Sequence, residues 1–478
     1  MLRTIEKPRV MQLPLAPRSS LPVVAQIHAL RTFHTGCERL RDAGGPVTRI
    51  AFAPRWLLPE IVVTTSPQGA HDVLGRAPDV AERTRIHDEM RALIGANLFD
   101  VAHDEWLPRR RLLQPLFTKK RVCMYGNEMA QAAESIAASW PSGGVVDLDD
   151  ECRRLTLRAL GRSILGLDLD DQADRIGEPL RVMLQYVADR GAAPARLPRW
   201  LPTPARRRAR AASATLRGLA SEVLRACRED PEREAPLVRA LIEATDPETG
   251  RRLTDDEIRD ELIVFVGAGH DTTATTLAYS LWQLGRHPDL QERVRGEAAA
   301  VGDRDLTPED VPALGFTVQV LHEALRLCPP AAVSGRLLTE DVEVDGYRVR
   351  AGTLVMVGVY AVQRDPALWP HATTFDPDRF RPEAARQLDR WQYLPFGAGP
   401  RTCVGDHFAM LELALALATI VRRNEIHSMS PEFPMAVPFT LVAGAPVPAR
   451  VTPRCGYTTE NDGGNVARPV SASSTVGP

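Results

Sequence analysis

Lysine is nearly missing from this chain: of 59 basic residues only Lys7, Lys119 and Lys120 are lysines, and the rest are arginines. Against 61 acidic residues that leaves a formal charge of -2, too little positive charge for a general nucleic-acid binder. Cysteines are few and unpaired. The seven, at 37, 123, 152, 227, 328, 403 and 455, are odd in number and scattered, with no C-x-x-C pair, which argues against a disulfide framework. Long apolar runs are absent as well. The first thirty residues carry charges and four prolines instead of a signal-peptide core, and the stretch Leu262 to Val266 falls far short of the roughly 20 residues a membrane span needs. These absences predict a cytoplasmic protein in a reducing compartment, with no membrane span and with free, packed thiols.

What is present is a globular composition, 44% hydrophobic and 25% charged. An extended arm is predicted over 1–20, a single folded domain over 21–454, and a disordered tail over 455–478, which has almost no large apolar residues. Helical patterns run from about Val24 to Asp42 and dominate from about 67 to 337. "RIAFAPRWLLPEIVVTTS" (49–66) reads as two short strands, and Asp345-Gly346 within 341–357 gives a strong hairpin signal. The fold class is mainly α, in an α+β arrangement with small sheets near both ends. The basic run "TPARRRARAA" (203–212) reads as a solvated helix face, or as a patch for a partner or membrane surface.

Three stretches carry chemistry. The first is a helix over about 255–284, opened by a capping box from Thr254 to Glu257 and interrupted in composition by "GAGHDTTATT" (267–276). Two glycines and four threonines are poor helix formers. They permit close packing through small residues, or a loosened helix that opens a groove where Asp271 and Thr272 deliver protons beside a ligand. The second is "GFTVQVLHEALRLCPP" (315–330), a helix stopped by prolines, with Glu323 and Arg326 on one face. The third is "FGAGPRTCVG" (396–405), where glycines surround Cys403 just ahead of a helical pattern. A helix N-terminus stabilises negative charge, so Cys403 is expected to be a thiolate. It is then a nucleophile, with His407 as candidate base, or a metal ligand, for which Arg401 fits as a partner of haem propionates.

Together these residues resemble the cytochrome P450 family of haem-thiolate monooxygenases. Phe396, Gly399, Arg401, Cys403 and Gly405 match its haem-binding signature, Glu323 and Arg326 its helix motif, and "AGHDTT" (268–273) its oxygen-activating helix. "FDPDRF" (375–380) looks like the segment whose arginine, here Arg379, joins Glu323 and Arg326 in a buried charge cluster. "WLPRRRLLQPLF" (106–117) resembles the helix whose Trp106 and Arg110 face a propionate, and Arg336 matches a further propionate partner. The motifs keep the family's order over about 100–425.

The resemblance implies heme b (haem, iron protoporphyrin IX) ligated by Cys403, insertion of one oxygen atom from O2 into a hydrophobic small molecule of terpenoid, steroid, fatty-acid or polyketide type, and protons delivered through Asp271 and Thr272. It also implies electrons from a ferredoxin and its flavoprotein reductase, or from a flavodoxin. Arg109, Arg111, Lys119, Lys120, Arg422 and Arg423 are candidates for a basic docking patch around the cysteine side. A haem-thiolate peroxygenase or isomerase, a non-turnover haem sensor and a cysteine-nucleophile hydrolase are the rival readings.

Overall fold

The structure, a computed structural model, describes residues 10–75, 80–167, 173–193 and 197–454. The tail expected over 455–478 lies outside the described residues.

Chain order sets out the parts. Helices α1 (Val23–Arg31) and α2 (Phe33–Gly44) precede strands β1 (Val47–Ile50), β2 (Ile61–Thr64) and β3 (Ala81–Glu82). The helical body follows: α3 (Arg85–Ile94), α4 (His103–Leu113), α5 (Gly126–Ser139), then β4 (Val145–Asp147), α6 (Leu148–Leu160), α7 (Ala173–Ala192), α8 (Pro204–Glu229) and α9 (Pro236–Glu243). Next come α10 (Asp255–Leu284), α11 (Pro288–Ala299) and α12 (Gly315–Leu327). Strands β5 (Ser334–Leu338), β6 (Val342–Val344), β7 (Tyr347–Val349) and β8 (Leu354–Val357) lead to α13 (Asp406–Arg423) and the closing strands β9 (Asn424–Ser428), β10 (Met435–Ala436), β11 (Val442–Ala443) and β12 (Pro448–Pro453).

The strands join residues far apart in sequence. One sheet has the order β1-β2-β8-β5-β3, with β2 and β8 parallel and its other pairs antiparallel; another is β4-β12-β9. The predicted hairpin is β6–β7, Val344 opposite Tyr347, and its turn takes Asp345 and Gly346 to φ of 48° and 79°, the paired left-handed conformation that this dipeptide suits. Part of the arm is built into the sheet edge, where Arg18 lies beside Arg49 in a parallel bridge.

Helix α10 is the axis of the body. Its capping box forms, Thr254 N–H donating to Glu257 Oε2 at 2.9 Å and Glu257 N–H returning to Thr254 Oγ1 at 3.3 Å. Its first half packs into one apolar cluster with α3, α4, α5, α7 and α8, and its second half into another with α12 and the closing strands; α13 contributes to both. A helix buried almost all round needs no polar face, which is why its sequence reads as apolar on every side.

Candidate functional site

The central helix does not loosen. α10 runs unbroken through 267–276, contrary to the groove-opening reading, because its hydroxyls are spent inside the helix. Thr272 Oγ1 donates to Ala268 O at 2.7 Å, Thr276 Oγ1 to Thr272 O at 2.9 Å and Ser280 Oγ to Thr276 O at 2.7 Å. The glycines serve close packing: a Cβ on Gly267 would stand 3.2 Å from Leu180, and one on Gly269 3.2 Å from Leu160. Yet Ala268 is exposed and Gly267, Gly269, Asp271 and Thr272 are half-buried within a helix otherwise buried from Leu262 to Leu284, so this stretch borders an open volume.

Asp271 does not stand free beside Thr272. Its Oδ1 pairs with Arg153 Nη1 from α6, and Arg153 Nε also holds Asp149 at 2.7 Å. His270, behind it, is buried with Nδ1 3.0 Å from Thr156 Oγ1, and burial lowers its pKa to about 4.

Cys403 sits in a loop closed on itself. Its N–H donates to Phe396 O at 2.9 Å, and Thr402 N–H donates to Gly399 O at 3.1 Å. Gly399 has φ of 74° and lies so close to Leu74 that a Cβ would fall 2.0 Å from the Leu74 carbonyl oxygen, so no other residue fits. Gly405 N–H points at Cys403 Sγ, 3.3 Å away, just ahead of α13. Cys403 is exposed, and atoms of the loop crowd its sulfur. Desolvation pushes the thiol up to about 11; Gly405 N–H and Arg110 oppose this and Asp406 adds to it. The Gly405 N–H and the helix end oppose that upward shift, and the thiol would lose its proton on binding a metal. His407 is exposed and no contact joins its ring to the sulfur among the described residues, so the hydrolase reading has no base.

Three arginines, Arg401 of the loop with Arg83 and Arg336, converge with only two acids near them. Burial, then Arg401, lowers Arg336 to about 10; burial lowers Arg401 to about 10; and Arg83 is depressed further by burial, Arg336 and Arg401. Arg401 Cζ lies 4.8 Å over the Trp106 ring and its Nη1 donates to Val101 O at 3.0 Å. Arg83 Nε is buried without a partner among the described residues. Glu82 and Asp100 are the nearby acids, and burial raises Asp100 to about 6. A cationic cluster in this setting is costly unless an anion joins it, and the two carboxylates of a porphyrin would meet that need, so the residues fit haem.

Arg83 escaped the sequence reading because no motif marks it; β3, β5 and the cysteine loop bring positions 83, 336 and 401 together. Arg110, expected at a propionate, donates from Nη1 to Thr402 O at 3.0 Å and from Nε to Gln114 at 3.1 Å, bracing the loop.

Glu323 and Arg326 form a two-bond pair at 2.7 Å in each contact, with neither side chain exposed. Arg326 also donates to Gln363 O, Ala372 O and Thr374 O, and Arg379 Nε lies 3.5 Å from Glu323 Oε1. The three hold the irregular segment that leads to Cys403.

The expected basic patch dissolves. Arg109 is buried on Glu261 and Glu257, Arg111 pairs with Asp246 and Glu248, and Arg422 and Arg423 both pair with Glu134, Arg422 in the interior. Lys119 and Lys120 remain exposed, with Arg121 beside them.

Comparison with known proteins agrees with this geometry. A family model described as Cytochrome P450 matches residues 14–451. The chain is 34% identical over 348 residues to cyclooctat-9-en-7-ol 5-monooxygenase of Streptomyces melanosporofaciens, covering 72% of this chain and 76% of that protein. To pentalenene oxygenase of Streptomyces avermitilis it is 32% identical, covering 70% and 75%. The crystal structure of a mutant cytochrome P450DA heme domain superposes with a TM-score of 0.81 at 26% identity, over 92% of this chain and 98% of that one.

Proposed function

Because the chain belongs to the cytochrome P450 family, it is a haem-thiolate monooxygenase that uses haem b and O2 on a hydrophobic small molecule, and we propose how its own residues do this and on which class of substrate. The observation that carries the assignment is the glycine loop that presents Cys403 Sγ to Gly405 N–H, together with three under-neutralised arginines.

Cys403 would hold haem through its sulfur and Arg83, Arg336 and Arg401 would hold the propionates, with Trp106 stacking on Arg401 and Phe396 closing the loop. Haem supplies the activation of dioxygen and the transfer of one oxygen atom to carbon. Thr272 lines the open turn of α10, and its hydroxyl proton, now given to the Ala268 carbonyl, is the one placed to turn outward. Asp271, a carboxylate while it is paired with Arg153, can refill it only after that contact opens and Asp271 takes up a proton from solvent water, so α6 controls the proton supply.

The substrate is proposed to be a terpenoid, from the cyclic alkenes and alkenol for which the two relatives are named. Phe265 and Ala268 on α10, with Ala331 placed by the family's layout, are apolar and suit such a skeleton. Electrons are proposed to come from a ferredoxin docking on Lys119, Lys120 and Arg121, which lie on a turn packed against α13.

The test is optical titration with matched panels of terpenoids, steroids, fatty acids and polyketides. A terpenoid is expected to shift the iron's spin state at the lowest concentration. A fatty acid or steroid doing so would overturn the substrate assignment and leave the enzyme class intact.

A further inference from the structure

A buried carboxylate is costly, and Glu261, on the first half of α10, has no exposed surface at all. Desolvation pushes it up to about 7, against the pull of Arg109 and the Leu98 N–H and with Asp100 adding to the rise. What Glu261 holds is therefore informative. Its Oε1 and Oε2 both accept from the Leu98 N–H, at 2.9 and 3.2 Å. Oε1 also accepts from Arg109 Nη1 at 2.7 Å, and the same nitrogen donates to Ala96 O at 2.8 Å. One carboxylate thus fixes the connection between α3 and α4 at two points, positions 96 and 98.

That connection is a closed turn. The N–H groups of Asp100 and Val101 donate to Asn97 O at 3.2 and 3.1 Å, and Asn97 Nδ2 donates to Asp100 Oδ2 at 2.7 Å. A turn tied in this way moves as one piece, so a grip on Leu98 is felt at Val101. Its other contacts are with the arginine triad. Arg83 Cζ lies 5.1 Å over the Phe99 ring, and Val101 O accepts from Arg401 Nη1 at 3.0 Å. The Trp106 ring, 4.8 Å from Arg401 Cζ, fixes the plane of that guanidinium but leaves it free to turn within the plane. The directed hydrogen bond to Val101 O removes that freedom.

We propose that Glu261 is a positioning residue for the haem propionate site: through Leu98 it seats the 97–101 turn, and through Val101 O the turn aims Arg401. The proposal rests on the reading of Arg401 as a propionate partner. No motif marks the link, because Glu261 and Leu98 stand 163 positions apart.

The test follows haem transfer from the holoenzyme to apomyoglobin in a double-mutant cycle of Glu261→Gln and Arg401→Ala. Glu261→Gln keeps the shape and one acceptor oxygen, and should lose haem about tenfold faster than wild type. In the Arg401→Ala background the same change should add less than about twofold. Resonance Raman bands of the haem propionates should shift in Glu261→Gln as they do in Arg401→Ala. Glu257→Gln removes the other carboxylate on Arg109, 2.9 Å from its Nη2, and should leave both readings at wild-type values. If Glu261→Gln does not fold, Glu261→Leu with Arg109→Met, which removes both buried charges together, should fold and show the same faster loss; loss at the wild-type rate there overturns the proposal. An Arg401→Ala protein that keeps haem as wild type does overturns the propionate reading and this proposal with it. Faster loss in Arg401→Ala but not in Glu261→Gln overturns this proposal alone. So does an equal acceleration by Glu261→Gln in both backgrounds, which a general loss of stability would produce.

Discussion

Arg83 is the residue whose role could be seen only in three dimensions, and it offers the sharpest test at that scale. Its guanidinium shares a buried space with Arg336 and Arg401, and its Nε has no partner among the described residues. Arg83→Ala should fold, since it removes charge repulsion, but should lose haem to apomyoglobin at least about tenfold faster, a loss of roughly 1.4 kcal/mol in binding. Unchanged transfer would remove Arg83 from the propionate set. Thr272 gives a second prediction. Thr272→Ala should bind haem and substrate as wild type does and divert reducing equivalents to peroxide, which the ratio of product to reductant consumed measures. Equal coupling in both proteins would place the proton route elsewhere. The sequence made Cys403, Arg401 and Thr272 legible because each sits in a dense local motif. The arginine triad was not legible, because residues 83, 336 and 401 meet only through strand pairing. The fate of Arg109, Arg422 and Arg423 was hidden too, since their carboxylate partners lie far away in sequence.

At the scale of elements, α3, α10 and α12 each carry a histidine that burial keeps neutral, His87, His270 and His322. Burial lowers His270 on α10 and His322 on α12 to about 4 each, from an ordinary 6.5. Between pH 6.5 and 4 the unfolded chain binds protons at these sites that the folded chain does not, so stability falls as pH drops through that window. Denaturant midpoints measured from pH 7.5 to 4.5 should decline from about 6.5 downward, and the decline should flatten in the double variant His270→Asn with His322→Phe. An unaltered slope would mean that other groups govern acid sensitivity. The pattern and capping box marked the ends of α10 correctly. The composition of 267–276 misled, because the packing of a buried helix outweighs the weak propensity of its threonines and glycines, and glycine admits a neighbouring helix.

For the whole molecule, the ion pair in α12 ties the helical body to the segment that delivers the cysteine loop. Arg326 satisfies three backbone carbonyls as well as Glu323, so removing its partner strands a fully buried charge. Glu323→Ala should cost about 3–5 kcal/mol and yield protein deficient in haem, as read by the haem-to-protein absorbance ratio. A stable, fully loaded variant would contradict that structural role. The central claim, that Cys403 alone supplies the sulfur ligand, is tested most directly by the spectrum of the reduced protein under carbon monoxide. Wild type should show the red-shifted band that a thiolate ligand produces, and Cys403→Ser should lose it, along with monooxygenase activity, while Cys328→Ser keeps both. A Cys403→Ser protein that retains the red-shifted band would contradict the account.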